Sequence, residues 1–221
     1  MEKDEFSDAL GIGPDSDMGV HHREKNSFRG ISTRRNLKFL VASAVNQDFL
    51  DEICELENLT ELKLEWPVTA NTIEGLARLK KLKKLRLDSP RNITDFTPLT
   101  RLPQLTHLDI ENAKHLSDLR WIRPLKDRLV KLNLDGSINT AQRLESLDPL
   151  DGFTFEELWL VNTTVADKDL SPLITCRNLT KLRCAKSVST FEGFMALADA
   201  RPDIACDWFS PEHWPGRKWR R

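Results

Sequence analysis

Residues 93–110, ITDFTPLTRLPQLTHLDI, contain the spacing of apolar side chains from which the fold of this chain can be predicted. These side chains first recur at every third position and then, at the end, at every second position. A spacing of three suits a 3₁₀-like or short helical turn, whereas alternation places Leu108 and Ile110 on one face of a strand. The stretch therefore predicts a short helical return that leads into a short β-strand.

The pattern Leu-x-x-Leu-x-Leu, or a close variant, occurs six times in the chain, and a fainter copy precedes the six. Its second anchor recurs about every 22–26 residues, within the range of leucine-rich repeats. The anchors are Leu40, Leu62, Leu85, Leu108, Leu132, Leu158 and Leu182. Parallel strands are expected near residues 38–42, 60–64, 83–87, 106–110, 130–134, 156–160 and 180–184. Residues 48–56 and 190–200 have the polar starts and apolar spacing of short α-helices.

The chain resembles the leucine-rich repeat family over residues 31–209, and its short return is similar to phosphatase-regulatory and bacterial internalin repeats. The resemblance implies an α/β solenoid, a curved right-handed horseshoe segment with a parallel concave sheet and short helical or 3₁₀ convex returns. Many family members carry an Asn ladder after the strand, which this chain lacks. The backbone N–H and C=O groups of these loops must therefore form hydrogen bonds with other backbone groups or with water. The ladder positions hold Pro67, Pro90, Ala113, Ser137, Thr163 and Ser187.

Composition divides the chain into three segments. Residues 1–30 combine glycines with many polar side chains, which predicts a flexible N-terminal segment. Residues 31–209 form the leucine-rich repeat domain, and residues 201–209 resemble a degenerate final strand with aromatic residues in place of leucines. Residues 210–221 place two tryptophans among arginines and lysines. They form either a cap that folds back over the last repeat or a basic aromatic arm for a protein, a nucleic acid or a membrane surface.

Charge and the lack of targeting signals disfavour nucleic-acid-binding, secreted and membrane-spanning proteins. The chain has 33 basic and 34 acidic residues, so there is no domain-wide basic field and a nucleic-acid partner is disfavoured. The acidic N-terminus does not resemble a secretory signal, and no apolar run approaches the roughly 20 residues of a membrane span. A cytoplasmic location without a transmembrane segment is predicted.

Metal, cofactor and catalytic sites are not predicted. Cys54, Cys176 and Cys184 lie at or beside hydrophobic repeat positions, so they are interpreted as reduced core residues, and the sequence has no Cys/His spacing of a metal site. His107 and Asp109 could form a polar pair, but spacing places no nucleophile with them. The chain is therefore predicted to be non-catalytic, with no cofactor.

Residues between the leucine anchors are expected to face solvent on the concave sheet. Four carboxylates in one column would lie about 5 Å apart. They form either a solvated edge compensated by Lys63, Lys84 and Arg86, or an acidic stripe that orients a basic partner. The stripe consists of Glu65, Asp88, Glu111 and Asp135.

Trp159 occupies a predicted solvent-facing strand position, where a large aromatic side chain contributes nothing to the core. Tryptophan and arginine are enriched in binding hot spots. The alternative is that Trp159 lies against Arg183 or Lys131 in a cation–π contact. The candidate partner-binding residues are Glu65, Arg86, Asp88, His107, Asp109, Glu111, Asp135, Trp159 and Arg183.

These patterns favour a protein interaction module that binds a protein partner on its concave face as an adaptor, a regulatory subunit or an inhibitor of the immunity type. A monomer is the simpler expectation. The alternative function is nucleic-acid or membrane-surface binding through the basic, Trp-rich C-terminal tail.

Overall fold

A computed structural model of the chain describes residues 16–21, 23–24 and 27–216. The chain divides into two compact units, Met1–His115 (unit 1) and Leu116–Arg221 (unit 2). In both units short parallel strands alternate with 3₁₀ turns or short helices. The predicted α/β leucine-rich repeat architecture is confirmed.

Unit 1 has five parallel strands among its described residues. They pair in sequence order, and the register places the anchors Leu40, Leu62, Leu85 and Leu108 beside one another. Each of these leucines is at most 2% exposed, so the anchors form a continuous core column, as the spacing predicted. The strands are β1 (Asp17–Val20), β2 (Phe39–Ala42), β3 (Glu61–Leu64), β4 (Lys84–Asp88) and β5 (His107–Glu111).

The returns of unit 1 are one α-helix and three 3₁₀ turns in its described residues. Helix α1 spans Gln47–Ile53 and begins where the Asn46 side chain accepts a hydrogen bond from the Phe49 N–H at 3.2 Å. The predicted helix at residues 48–56 is confirmed, although it ends at Ile53. The 3₁₀ turns are Ile31–Thr33, Glu74–Arg78 and Thr97–Arg101, and the last one confirms the helical return predicted from residues 93–102.

Unit 2 has two small parallel sheets in its described residues. The first pairs β6 with β8 and β8 with β10; the second pairs β7 with β9. The second sheet was not predicted. Its strand β7 lies in the longest repeat, between β6 and β8, and its strand β9 lies in the next repeat, between β8 and β10. The strands are β6 (Lys131–Asp135), β7 (Gln142–Leu144), β8 (Glu157–Leu160), β9 (Thr163–Val165) and β10 (Lys181–Cys184).

The returns of unit 2 are mostly 3₁₀ turns. Helix α2 spans Phe191–Ala200, close to the predicted residues 190–200, and the Thr190 hydroxyl accepts from the Gly193 N–H at 3.1 Å at its start. Three 3₁₀ turns lead into the later elements: Arg120–Leu125, Asp148–Leu150 and Ser171–Thr175.

The turns after the strands have no Asn ladder. Their backbone polar groups are paired partly by other backbone groups and partly by side-chain hydroxyls. In unit 1, Val68 forms parallel bridges with Val45 and Pro90, as expected for backbone satisfaction. In unit 2, the Thr163 hydroxyl donates to the Leu134 carbonyl at 2.8 Å, and the Ser187 hydroxyl donates to the Thr163 carbonyl at 2.9 Å. The sequence argument was therefore incomplete, because small hydroxyl side chains also satisfy these turns.

The N-terminal segment contains a strand, which corrects the expectation of flexibility for part of residues 1–30. Residues Asp17–Val20 pair with β2, and Met18 and Val20 are buried. Two buried side chains stabilise the strand at the edge of the sheet, although the segment is largely polar. Residues 1–15 lie outside the described residues.

Aromatic side chains cover the last repeat of unit 2. Trp214 is 7% exposed, and its ring lies within 6.0 Å, between centroids, of Phe191, Phe194 and Trp208. Its indole N–H donates to the Trp208 carbonyl at 2.9 Å. In place of a degenerate final strand, Ala205 makes a single bridge to Lys181. The described part of the tail thus packs as a cap, and residues 217–221 lie outside the described residues.

Candidate binding surfaces on the strands

Alternating burial exposes the predicted residues of unit 1. Along β4 and β5 the leucine and isoleucine side chains are buried, whereas the residues between them are half-buried or exposed. The register places Arg86 beside Asp109 and Asp88 beside Glu111. We call these four residues the acidic patch.

Arg86 holds two carboxylates of the acidic patch. Its guanidinium lies 3.3 Å from Asp109 Oδ2 and 2.6 Å from Glu111 Oε2. Two charge-assisted contacts restrict the guanidinium more than one would. The patch is therefore a fixed array of charges.

The pKa of Glu111 is raised. Burial is the largest cause and repulsion from Asp88 is the next, and together they outweigh the opposing effect of Arg86. Asp88 Oδ1 itself accepts a hydrogen bond from the Ser89 hydroxyl at 2.8 Å. The carboxylates of adjacent strands thus repel each other, as the sequence predicted for a column of like charges.

The remaining predicted residues of unit 1 have local partners. Glu65 lies 3.1 Å from His21 Nδ1, and His107 Nδ1 lies 2.9 Å from the Thr106 hydroxyl. Lys63 and Lys84 were expected to compensate the acidic stripe, but their ion pairs are with Glu61, outside the stripe, at 3.4 and 3.5 Å. Of the three cations that were expected to compensate the stripe, Arg86 is, within the described residues, the one with an ion pair to a stripe residue, Glu111. Trp66, which follows β3 by two residues, is 57% exposed.

In unit 2 the structure brings a second group of side chains together around Trp159. The register places Asn133 and Arg183 on either side of Trp159, and Lys131 and Lys181 on either side of Glu157. We call these six residues the Trp159 patch. Asn133 and Glu157 in this group were not among the predicted site residues, and neither were Lys131 and Lys181.

The Trp159 ring contacts cations from both neighbouring strands. Lys131 Nζ lies 3.7 Å from the ring centroid, Arg183 Cζ lies 4.4 Å from it, and Lys181 Nζ lies 5.8 Å from it. All three distances are within the range of cation–π attraction. The cation–π alternative is therefore confirmed for both Lys131 and Arg183, yet the Trp159 side chain stays half-exposed.

Glu157 contacts three other residues of the Trp159 patch. Its carboxylate lies 3.3 Å from Lys131 Nζ and 3.8 Å from Lys181 Nζ, and it accepts the Trp159 indole N–H at 3.1 Å. Burial acts to raise the pKa of Glu157, but these hydrogen bonds and positive charges prevail and lower it. Glu157 is thus ionised at neutral pH and fixes the orientation of the indole.

Asn133 is a buried polar residue within the patch. Its side chain is 5% exposed, and its Oδ1 has no hydrogen-bond partner among the residues that the structure describes. Buried polar atoms without a partner are uncommon and costly. In the sequence Asn133 is an amide whose equivalents in the neighbouring repeats are Asp109 and Trp159, which did not predict burial.

An apolar edge adjoins the Trp159 patch. Val161 follows β8 and is 42% exposed, and its N–H donates to Asp135 Oδ1 at 2.6 Å. Gly136 N–H donates to the Val161 carbonyl at 2.8 Å, which brings the following loop alongside. Ile138 in that loop is 98% exposed. Asp135, predicted as part of the acidic stripe, therefore orders this edge through a backbone hydrogen bond.

A cavity of about 620 Å³ lies on the return side of unit 2. Its lining is mixed: Lys126 and Arg177 are its cations, Phe153 and Ile174 are apolar, and the Thr175 hydroxyl donates to Asp151 Oδ1 at 2.6 Å. No sequence pattern predicted this cavity, because its residues come from three segments that lie far apart in the chain.

Two of the cysteines, Cys54 and Cys176, offer little reactivity, whereas a hydrogen bond from Cys184 lowers the pKa of the Cys206 thiol. Burial raises the pKa of the Cys54 thiol to about 12 and that of the Cys176 thiol to about 11, so both are protonated at neutral pH. Among the described residues, three or more His, Cys, Asp or Glu side chains nowhere gather as they would around a metal ion. Within the same residues, no helix is long and apolar enough to cross a membrane.

Comparison with solved structures identifies the fold. The chain is 22% identical to internalin C2 of Listeria monocytogenes, with a TM-score of 0.58 over 77% of this chain and 73% of that structure. It is 21% identical to the internalin InlF of the same organism, with a TM-score of 0.56 over 77% of this chain and 54% of that structure, about half its length. Both similarities show the leucine-rich repeat fold. No protein-family model matches the chain, and no curated protein matches it.

Proposed function

We propose that this protein is a non-catalytic interaction module that binds a protein partner on the solvent-facing side of its strands. Within this proposal the protein is a cytoplasmic monomer that acts as an adaptor, a regulatory subunit or an inhibitor. The proposed contact residues are Glu65, Arg86, Asp88, His107, Asp109, Glu111, Asp135, Trp159 and Arg183.

The observation that carries the proposal is the state of Trp159. Its ring is half-exposed on the solvent-facing side of β8 and is held by cations on both sides and by its indole hydrogen bond to Glu157. A tryptophan fixed before binding loses little conformational entropy when a partner covers it. Such residues dominate the energetics of many protein interfaces.

The acidic patch supports the same function in unit 1. Two of its carboxylates, Asp109 and Glu111, are held by Arg86, and the pKa of Glu111 is raised mainly by burial and next by repulsion from Asp88. A cation supplied by a partner would stabilise the ionised form of Glu111. A basic segment is therefore the proposed ligand of the acidic patch, and electrostatic steering is its proposed contribution.

The same contacts favour a non-catalytic role. Arg86, Asp109 and Glu111 hold one another in ion pairs, an arrangement that fixes charge and leaves no activated nucleophile.

The alternative function is nucleic-acid or membrane binding through the tail. One of the two tail tryptophans, Trp214, is buried in the cap and is therefore not exposed to such a ligand. The alternative depends on residues 217–221, outside the described residues. RNA and liposome binding of the full chain, compared with a chain ending at Gly216, tests this alternative. Equal binding by the two chains is expected.

The main test is affinity capture from the native host with the full chain and two strand-side variants, Trp159→Ala and Asp88→Lys. Matched controls are Lys80→Ala and Arg143→Ala, which change exposed cations away from both patches. A captured protein that is lost with the strand-side variants and kept with the controls supports the proposal. Retention of every captured protein by both strand-side variants contradicts it.

A further inference from the structure

Arg183 is the cation of the Trp159 patch that is exposed and available to a ligand. Its side chain is exposed, and within the described part of the chain its guanidinium has no carboxylate at ion-pair distance. The Trp159 ring nevertheless holds it in place, with Arg183 Cζ 4.4 Å from the ring centroid. A planar guanidinium that is positioned but unpaired can bind a carboxylate through two parallel hydrogen bonds.

The lysines of the patch are only partly neutralised. Lys131 and Lys181 share the single carboxylate of Glu157, while each ammonium group has three N–H donors. Asp135, the other nearby carboxylate, accepts the Val161 N–H. Positive charge therefore exceeds negative charge in this patch, opposite to the acidic patch of unit 1.

Asn133 indicates what else the ligand offers. Its unpartnered Oδ1 is a hydrogen-bond acceptor, and the register places it directly beside Trp159 on the neighbouring strand. A small local adjustment around Asn133, with the Trp159 ring and its cations left in place, would open this oxygen to an N–H group of the ligand. A polypeptide carries both N–H donors and carboxylates, whereas a phosphate chain supplies acceptors only.

We propose that the Trp159 patch binds an acidic, extended peptide segment of a protein partner, with Arg183 and Lys131 contacting its carboxylates and Asn133 accepting a backbone N–H. Apolar side chains of the segment lie against Val161 and Ile138, which are exposed beside the patch. This proposal rests on the proposed function and adds the chemistry of the ligand for unit 2.

The test uses the full chain and fluorescently labelled short peptides of alternating residues: Glu and Leu, Gln and Leu, or Lys and Leu. Fluorescence anisotropy measures the dissociation constant of each. The Glu-containing peptide is expected to bind most tightly, and Arg183→Glu should weaken its binding by about tenfold or more. Arg183→Gln should weaken binding less than Arg183→Glu.

Arg143→Glu is the matched control, because Arg143 is an exposed cation of the same unit on β7, outside the patch. Its affinity for the Glu-containing peptide should equal that of the unsubstituted chain, and circular dichroism verifies that each variant is folded. Equal binding of the Glu and Lys peptides, equal loss in Arg183→Glu and Arg143→Glu, or preferential binding of a polyuridine oligonucleotide would overturn the proposal.

The outcomes separate this proposal from the proposed function. If Trp159→Ala abolishes capture of a protein partner but the Glu-containing peptide does not bind, the proposal of an acidic ligand is wrong, whereas the proposed function as an interaction module is supported. If the Glu-containing peptide binds in an Arg183-dependent way while Trp159→Ala and Asp88→Lys retain every captured protein, the ligand chemistry stands and the captured proteins bind elsewhere.

Discussion

Arg86 Nη2 lies 2.6 Å from Glu111 Oε2, and yet the pKa of Glu111 is raised. Burial of the carboxyl and repulsion from Asp88 cause the increase, while Arg86 divides its charge between Glu111 and Asp109. Glu157 has the reverse balance, because two lysines and the Trp159 indole N–H lower its pKa against burial. The two glutamates therefore report opposite electrostatic environments on the strands of the two units.

Replacing either glutamate by glutamine should change the pH dependence of stability in opposite directions. A raised pKa in the folded state means that the stabilising contribution of Glu111 is complete below its usual pKa and is lost as pH rises through the raised value. A lowered pKa means that the contribution of Glu157 is present above its usual pKa and is lost as pH falls through the lowered value.

The free energy of unfolding of Glu111→Gln, relative to the unsubstituted chain, should thus increase from mildly acidic to neutral pH. For Glu157→Gln the same difference should decrease as pH rises from the lowered pKa of Glu157 to its usual pKa, a more acidic range, and should stay constant above it. Urea denaturation at a series of pH values measures both differences. The electrostatic account is wrong if both differences change in the same direction.

Trp214→Ala should destabilise the protein strongly, because Trp214 is buried among Phe191, Phe194 and Trp208. A loss of about 3–5 kcal/mol is expected for truncating a buried aromatic residue. Trp66→Ala is the control at an exposed tryptophan, where a change within about 0.5 kcal/mol is expected. Chemical denaturation measures both, and similar losses at the two sites would show that Trp214 does not cap the repeat.

Arg201→Lys should destabilise unit 2 although the charge is kept. Arg201 donates to the carbonyls of Cys176 and Leu179, both at 2.8 Å, and also to Asp203. A lysine cannot reproduce this fork of donors, so the carbonyls lose partners at a cost of about 1–3 kcal/mol. Arg177→Lys, at an exposed arginine of the same unit, should be nearly neutral. Thermal unfolding compares the two variants, and equal melting temperatures would contradict the proposed bonding role.

Asn133→Leu should stabilise the folded chain, because it removes a buried oxygen that has no partner in the described structure. A gain of about 1 kcal/mol is expected from the cost of an unsatisfied buried group. Thr163→Val provides the matched comparison, since the Thr163 hydroxyl is fully buried and donates to the Leu134 carbonyl. That variant should lose about 0.5–1.5 kcal/mol. Destabilisation of Asn133→Leu by as much as Thr163→Val would mean that the amide is satisfied in solution.

The sequence determined the repeat, because an apolar anchor must be buried wherever it recurs and its spacing alone locates strands and returns. Leu62, Leu85 and Leu108 lie in register as their intervals required. Alternation also placed Arg86 and Trp159 on the solvent-facing side. The identity of the contact residues stays a prediction.

Tertiary structure alone decided which side chains meet. Lys63 and Lys84 pair with Glu61 instead of the acidic stripe, and Asn133 is buried without a partner for Oδ1 in the described chain. The strand β1 and the burial of Trp214 were likewise decided by packing. Spacing along a chain fixes which face a residue occupies, whereas partner choice depends on side-chain conformation and on the neighbouring strands, which a repeat pattern does not contain.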